Sequence, residues 1–276
     1  MDKTLVIYHA NCPDGFGAAY AAFESLGAEA HFVAARHGDT PPDCQDAVVY
    51  IVDFSYKRPI MEIICQAAKK VIVLDHHISA VEDLAGLDQE YDNLTLNFDM
   101  DRSGAVITWE YFHQTPVPKL LRYIEDRDLW RFQLTDSRII NLAVDSYDFD
   151  FAQWREFVTQ PEKLAQLHEA GTAIARYLEQ LYVQYQKRAV MGQIAGYDVP
   201  IVNCPPVLSS ELLHRLGENQ PFAAGYSEVG LERRWSLRST EEGVNVAEVA
   251  QRFGGGGHQH AAGFRTELDA SSLHLS

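Results

Sequence analysis

Cysteine is scarce and scattered in this chain: Cys12, Cys44, Cys65 and Cys204 are its only four, and no two form a CxxC pair. That excludes a zinc ribbon and fits a reducing compartment, so the cytoplasm is the expected location. Long apolar runs are missing too. No stretch approaches the roughly 18 residues of a membrane span, and the apolar run in "MDKTLVIYHANC" is too short for a signal peptide. Basic residues are few, 23 Lys and Arg against 39 Asp and Glu, for a formal net charge of −16. Duplex binding runs on counterion release by Lys and Arg, so long nucleic acid is disfavoured as a partner. A small phosphorylated ligand held by a few cations or metal ions is not. Internal repeats are absent, and "GGGG" is the only low-complexity run.

What is present reads as two domains. "TLVIYH" (4–9), "AEAHFVAA" (28–35), "VVYIVD" (48–53), "VIVL" (71–74) and "LTLNF" (94–98) have the look of strands. Helical patterns at 15–27, 58–70 and 103–114 alternate with them. Such alternation predicts an α/β fold with a mostly parallel sheet covered on both faces. "PKLLRYIEDRDLWRF" and 149–158 also look helical, and 161–190 reads as one long helix opened by Pro161. Its stripe Leu164, Leu167, Gly171, Ile174, Leu178, Leu181 and Tyr185 is a core or interdomain face, or a homodimer seam. Strand-like segments around two short helices follow from 191. The expected organisation is a parallel-sheet domain over 1–148, a helical linker over 149–190 and a smaller α+β domain over 191–276.

Acids and histidines gather where apolar runs stop. "YHANCPDG" carries His9, Cys12 and Asp14; "IVDFS" carries Asp53; "LDHH" carries Asp75, His76 and His77; "EDRDLW" carries Asp126 and Asp128. A parallel sheet brings its strand ends to one edge, where open α/β sheets bind ligands. Carboxylates and imidazoles collected there suit manganese, and less well zinc or iron. Any one of these residues has an ordinary explanation: Asp14 can cap the helix behind it, and Asp126 and Asp128 can pair with Arg127 and Arg131. The coincidence of the whole set favours a site. Near the C-terminus, "RFGGGGHQHAAGF" places Gly255, Gly256 and Gly257 before His258. Consecutive glycines are poor in any regular element, and a backbone that must approach an anion would justify them; the alternative is a flexible hinge.

Taken in order, "HANCPDG", "VDFS", "LDHH", "EDRDLW" and "GGGGHQHAAGF" resemble the DHH phosphoesterase superfamily with its small associated C-terminal domain, and the likeness spans essentially the whole chain. That group holds RecJ-type exonucleases, nano-RNases, cyclic-dinucleotide phosphodiesterases and 3′-phosphoadenosine 5′-phosphate phosphatases. The resemblance implies two Mn²⁺ ions bridged by Asp53. One would take Asp14, Asp53, His76 and Asp128, with Asp126 as second choice for the last. The other would take His9, Asp53 and an acid two residues before Asp14, where this chain has Cys12, a thiol preferring softer ions. It further implies His77 on the scissile phosphate or in proton transfer, Asp75 orienting an imidazole, and His258 with the glycine backbone gripping phosphate as the small domain closes. Arg238 would meet a second phosphate or a base, with Arg234 a weaker candidate. The expected function is hydrolysis of very short oligoribonucleotides or linear dinucleotides to 5′-mononucleotides by a water activated between two metals. The alternatives are a cyclic-dinucleotide phosphodiesterase, a 3′-phosphoadenosine 5′-phosphate phosphatase, or a nucleotide-binding sensor without turnover.

Overall fold

The computed structural model describes residues 3–268. Two compact units divide within one helix, between Ile174 and Ala175.

The first unit is built on β1 (Thr4–His9), β2 (His31–Ala35), β3 (Val48–Val52), β4 (Lys70–Asp75) and β5 (Leu94–Phe98), paired in the order β2-β1-β3-β4-β5. Every neighbouring pair is parallel. Side chains alternate across the strands. Leu5, Ile7, Val49, Ile51, Val71 and Val73 pack on one face with Met61, Ile64 and Cys65 of α2 (Arg58–Ala67). On the other face Val6, Val52, Ile72 and Leu74 meet Ala18 and Ala22 of α1 (Pro13–Leu26) and Ile107. Both faces are buried, which is why the strands read as unbroken apolar runs.

The remaining helices of this unit are α3 (Ile78–Asp83), α4 (Leu87–Glu90), α5 (Gly104–Phe112), α6 (Lys119–Asp128), α7 (Ser137–Val144), α8 (Phe151–Thr159) and the first part of α9 (Pro161–Gln186). A second core joins Phe16, Tyr20, Trp109, Leu121, Trp154 and Leu167. Gly17 lets α1 and α5 close up, since a Cβ there would stand 2.9 Å from the Ala105 Cβ.

The second unit is a sheet of six strands in the order β10-β11-β9-β8-β7-β6: β6 (Val190–Ile194), β7 (Tyr197–Asn203), β8 (Ala223–Val229), β9 (Glu232–Arg238), β10 (Gly256–His258) and β11 (Ala261–Glu267). Only β7 and β8 pair in parallel. α10 (Pro206–Gly217) covers Val202 and Ala223 with Leu208, Leu212 and Leu213, while α11 (Val246–Gln251) packs Val246 and Val249 on Leu237 and Phe264. The stripe of α9 is shared out: Leu164 and Leu167 belong to the core of the first unit, Leu178, Leu181 and Tyr185 to that of the second.

Three expectations need correction. The long helix stops at Gln186, four residues short of 190, because Val190 opens β6 opposite Ile201. α6 stops at Asp128, and "LWRF" leaves the helix. The glycine run is not held out of regular structure: Gly256 and Gly257 lie in β10, paired with Gly263 and Ala262.

Candidate metal centre

The strand order reverses direction between β1 and β3, and the candidate site lies at the carboxyl ends of β1, β3 and β4, where α/β sheets leave a crevice. His9 is the last residue of β1. The chain turns through Asn11, φ 59°, into α1, whose N-cap is Cys12 and whose first turn carries Asp14. Gly15 makes that turn possible, because a Cβ there would come within 2.2 Å of the His9 carbonyl oxygen.

Asp53 follows β3 with φ 52°, an uncommon backbone state outside glycine. Its N–H still donates to the Leu74 carbonyl (2.9 Å), so the residue stays tied to β4 while its side chain turns into the crevice. His76 Nε2 lies 3.2 Å from Asp53 Oδ1, 3.4 Å from Asp128 Oδ2 and 3.8 Å from Asp14 Oδ2. On the other side His9 Nδ1 stands 3.6 Å from Asp53 Oδ2. The ligand atoms of Asp14, His76 and Asp128 all fall within 4.8 Å of one another, as do those of His9, Cys12 and Asp53.

Asp14 is held from 90 residues away. Its Oδ2 accepts the Gly104 N–H (2.7 Å) and its Oδ1 the Ala105 N–H (3.1 Å), both at the start of α5. Those donors use groups a helix N-terminus leaves unpaired. Behind the centre, the wholly buried Asp75 accepts the His76 N–H on Oδ1 (2.8 Å) and binds His77 Nδ1 there (2.6 Å), which fixes the His77 ring.

The charge balance is uneven. Burial and the charges of Asp53 and Asp128 push Asp14 well above the usual carboxylate range. Burial and Asp53 push Asp128 up to about 6. Asp53 goes the other way: burial opposes its charge, but the facing His76 and His9 imidazoles hold it below the normal range. Burial, then Asp53 and Asp14, push the Cys12 thiol up. His77 rises to about 9, because its bond to Asp75 and the surrounding carboxylates outweigh desolvation.

A divalent cation fits this geometry. Asp53 Oδ1 and His76 Nε2 are buried and 3.2 Å apart, yet neither makes a hydrogen bond. Buried polar atoms are seldom left so; lone pairs aimed at a common point are what a metal needs. The donors are carboxylate and imidazole, with one thiol on the His9 side.

No family profile matches the chain. An uncharacterized protein of Acanthamoeba polyphaga mimivirus is 28% identical, covering 94% of this chain and 66% of its own length. The oligoribonuclease NrnB of Bacillus subtilis is 26% identical over 71% of this chain and 53% of its own. The chain thus spans from about half to just under two thirds of the curated relatives it matches. Among solved structures, the DHH domain of a member of the s1p family of ribosomal proteins superposes with a TM-score of 0.64 at 13% identity, covering 97% of this chain and 83% of the other. The chain has the fold of DHH-domain proteins. Also similar are a pGpG-specific phosphodiesterase from Vibrio (TM-score 0.55, 13% identity, 98% and 95% covered) and RecJ of Thermus thermophilus in complex with Mn²⁺ (0.54, 15%, 98% and 50%).

Within this DHH fold, His9, Cys12, Asp14, Asp53, His76 and Asp128 converge, with Asp75 and His77 beside them. Asp126 does not join them. Its Oδ1 accepts the Gln133 N–H (2.8 Å) and its Oδ2 the Leu134 N–H (3.1 Å), so it fastens the loop after α6. In the second unit, Arg238 Nη1 donates to the Leu237 carbonyl (2.9 Å) and Nη2 to Ser210 Oγ (3.1 Å), and Arg234 pairs with Glu232 at the surface. The glycines have a packing reason: a Cβ on Gly255 would stand 2.1 Å from the Gly263 carbonyl oxygen, and one on Gly257 2.5 Å from that of Ala261. His258 is exposed on β10. Sequence reasoning missed the α5 N-terminus, Phe54, which stacks on His9 (centroids 6.0 Å), and His37, 5.7 Å from His9. "SGAV" marks a helix start, but nothing local in it says that its partner is Asp14.

Proposed function

We propose that this protein is a metal-dependent phosphodiesterase that hydrolyses very short oligoribonucleotides, linear dinucleotides among them, to 5′-mononucleotides. The observation that carries this is the meeting at the strand ends of two donor clusters, Asp14–His76–Asp128 and His9–Cys12–Asp53, joined where Asp53 Oδ1 and His76 Nε2 stand 3.2 Å apart, buried and without a hydrogen bond. Asp14, Asp53, His76 and Asp128 would hold one divalent ion, and His9, Cys12 and Asp53 a second. Two such ions supply a nucleophilic water at neutral pH and offset charge building on the phosphoryl oxygens. The RecJ structure that contains Mn²⁺ supports manganese as the first ion to try.

The chain's own residues do the positioning. The α5 N-terminus fixes Asp14 through two N–H bonds. Asp75 fixes His77, and that bond raises the pKa of the ring. A cation there would bind a phosphate oxygen in the ground state and could give its proton to the departing 3′ oxygen, which leaves the phosphate on the 5′ oxygen of the product. Arg238 and the Gly255–Gly257 backbone with His258 remain proposed phosphate contacts of the second unit. The names of two similar proteins, an oligoribonuclease and a pGpG-specific phosphodiesterase, favour a short linear substrate. So does the net charge of −16, which repels a long polyanion.

Chromatographic product analysis tests the proposal. Protein with Mn²⁺ receives a linear diribonucleotide, a long single-stranded RNA, a cyclic dinucleotide and 3′-phosphoadenosine 5′-phosphate in parallel. Rapid conversion of the linear dinucleotide to mononucleotides, with the rest nearly untouched, is the expected result. Preference for another substrate moves the activity within the superfamily. No turnover with any divalent metal, together with stoichiometric nucleotide binding, replaces the enzyme with a binding module.

A further inference from the structure

We infer that Arg36 and His37 bind a phosphate monoester at one end of the substrate, which rests on the phosphodiesterase reading above. Both follow β2, whose last residue, Ala35, pairs with His9, so they emerge at the edge that carries the metal donors. Contacts place them beside the centre. The Ala10 N–H donates to the Ala35 carbonyl (2.9 Å), tying the end of β2 to the loop from His9 to Cys12. With its amide oxygen turned to Arg36, Asn11 of that loop accepts from the guanidinium Nε (3.2 Å) and from Nη2. The His37 ring lies 5.7 Å from that of His9 and 5.0 Å from that of Phe54.

A tight turn presents the pair. The Asp39 N–H donates to the Arg36 carbonyl (3.0 Å), and Asp39 Oδ2 accepts the Arg36 N–H in return (2.8 Å). Gly38 has φ 94°, and a Cβ on it would meet nothing within 4 Å. Glycine is there for the backbone state of the turn and not for close packing.

The charge at this spot is unusual for the chain. Arg58, Arg102, Arg127, Arg155, Arg215 and Arg233 each pair with an Asp or Glu. The exposed Arg36 guanidinium is instead oriented by a neutral amide oxygen, and the carboxylate of Asp39 is engaged by the backbone N–H. A guanidinium aimed this way, with Nη1 left over, suits an anion that arrives with the substrate. His37 belongs to neither donor cluster, so its ring adds an N–H donor and not a metal ligand. The scissile diester carries one charge and lies on the ions. A terminal monoester carries about −1.5 to −2 and is the most anionic group of a short substrate.

The test compares pGpG, GpG and GpGp, which carry a terminal phosphate at the 5′ end, at neither end and at the 3′ end. Wild type should favour one phosphorylated form over GpG in kcat/KM by about 10- to 100-fold, and the form that wins names the end that is read. Arg36→Gln should erase most of that preference by raising KM, with Mn²⁺ affinity by calorimetry unchanged. Arg36→Lys should keep part of it, and His37→Gln should reduce it by about 2- to 10-fold. No preference in wild type, or a preference that survives Arg36→Gln, overturns the assignment. So does an equal loss on all three substrates accompanied by weaker Mn²⁺ binding, which would make Arg36 a prop for the loop from His9 to Cys12. If wild type hydrolyses none of the three, the phosphodiesterase reading has failed by itself. Calorimetric titration of the Mn²⁺-loaded protein with the same compounds then decides: tighter binding of a phosphorylated form than of GpG, lost in Arg36→Gln, supports the assignment, and equal or absent binding overturns it.

Discussion

Gly104→Ala separates two accounts of the site by the sign of a stability change. Gly104 opens α5, and its φ is not in the left-handed region. Helix propensity alone therefore makes alanine the better residue, by about 0.5–1 kcal/mol. Close approach predicts the reverse. A Cβ at this position would stand 2.4 Å from Asp53 Cβ, 2.6 Å from its Oδ1 and 2.8 Å from its Cα. Carbon atoms prefer about 3.5–4.0 Å, so something must give by roughly 1 Å.

Neither partner can yield cheaply. Asp53 is tied to β4 through its N–H bond to Leu74, and the Gly104 N–H is bonded to Asp14. Overpacking of this kind costs about 1–3 kcal/mol, so Gly104→Ala should lose about 1–2 kcal/mol net once the helix gain is subtracted. The displacement falls on the carboxylate proposed to serve both ions, so Mn²⁺ affinity should fall on the order of 10- to 100-fold. Denaturant unfolding in EDTA and calorimetric Mn²⁺ titration read the two effects separately. Gly256→Ala is the control, since a Cβ there meets nothing within 4 Å. A Gly104→Ala protein as stable as wild type, with unchanged metal affinity, would refute the argument that this glycine exists to admit Asp53.

Three further outcomes follow from the same geometry. Asp53→Asn should lower turnover by at least about 10³-fold and leave the metal-free fold intact, because it removes a charge that Asp14 and Asp128 oppose; retained turnover would break the shared-ligand assignment. Cys12→Asp should tighten Mn²⁺ and weaken Co²⁺ or Zn²⁺ by about tenfold each by calorimetry, and an unaltered ratio would remove Cys12 from the ligand set. His77, raised to about 9 from 6.5, stabilises the metal-free protein fully below pH 6.5 and loses that contribution as pH rises through 9. The shift corresponds to about 2–3 kcal/mol at most for a ring 25% exposed; His77→Gln should flatten this stretch of the stability profile, and a profile unchanged by the substitution would contradict the Asp75–His77 pairing.

The sheet was legible because both of its faces are buried, so strands announce themselves as apolar runs and the acids mark their ends. β1 and β5 begin and end where the residues alone put them, β3 stops one residue early, and β4 extends by one residue at each end. Short elements were not legible. α7 was not anticipated because "SRIINLAV" is brief and follows Asp136, whose φ of 69° is a product of the loop. Segments 78–83 and 87–90 are helices of fewer than two turns between β4 and β5, too short to show a period. β6 was hidden because an apolar "AVMGQI" can continue a helix as readily as begin a strand.

At the site, residue type was legible and partnership was not. "EDRDLW" offers two acids two residues apart, and near the end of a helix that spacing points them to different sides. Asp128 then faces His76, while Asp126 turns back onto the N–H groups of its own loop. The choice between them is made by where α6 ends, which depends on packing across the first unit. The same holds for Asp14, whose local reading is a helix cap. Its carboxylate serves no N–H of its own helix, and the donors it meets belong to α5. An acid at a helix start thus becomes a pre-oriented ligand only when a second helix start faces it. Gly17 permits that approach, and its reason is invisible until Ala105 stands against it. Glycines at contacts such as Gly15, Gly17 and Gly104 therefore carry as much of the site's specification as the ligands, and substitutions there should damage metal binding without touching a single donor atom.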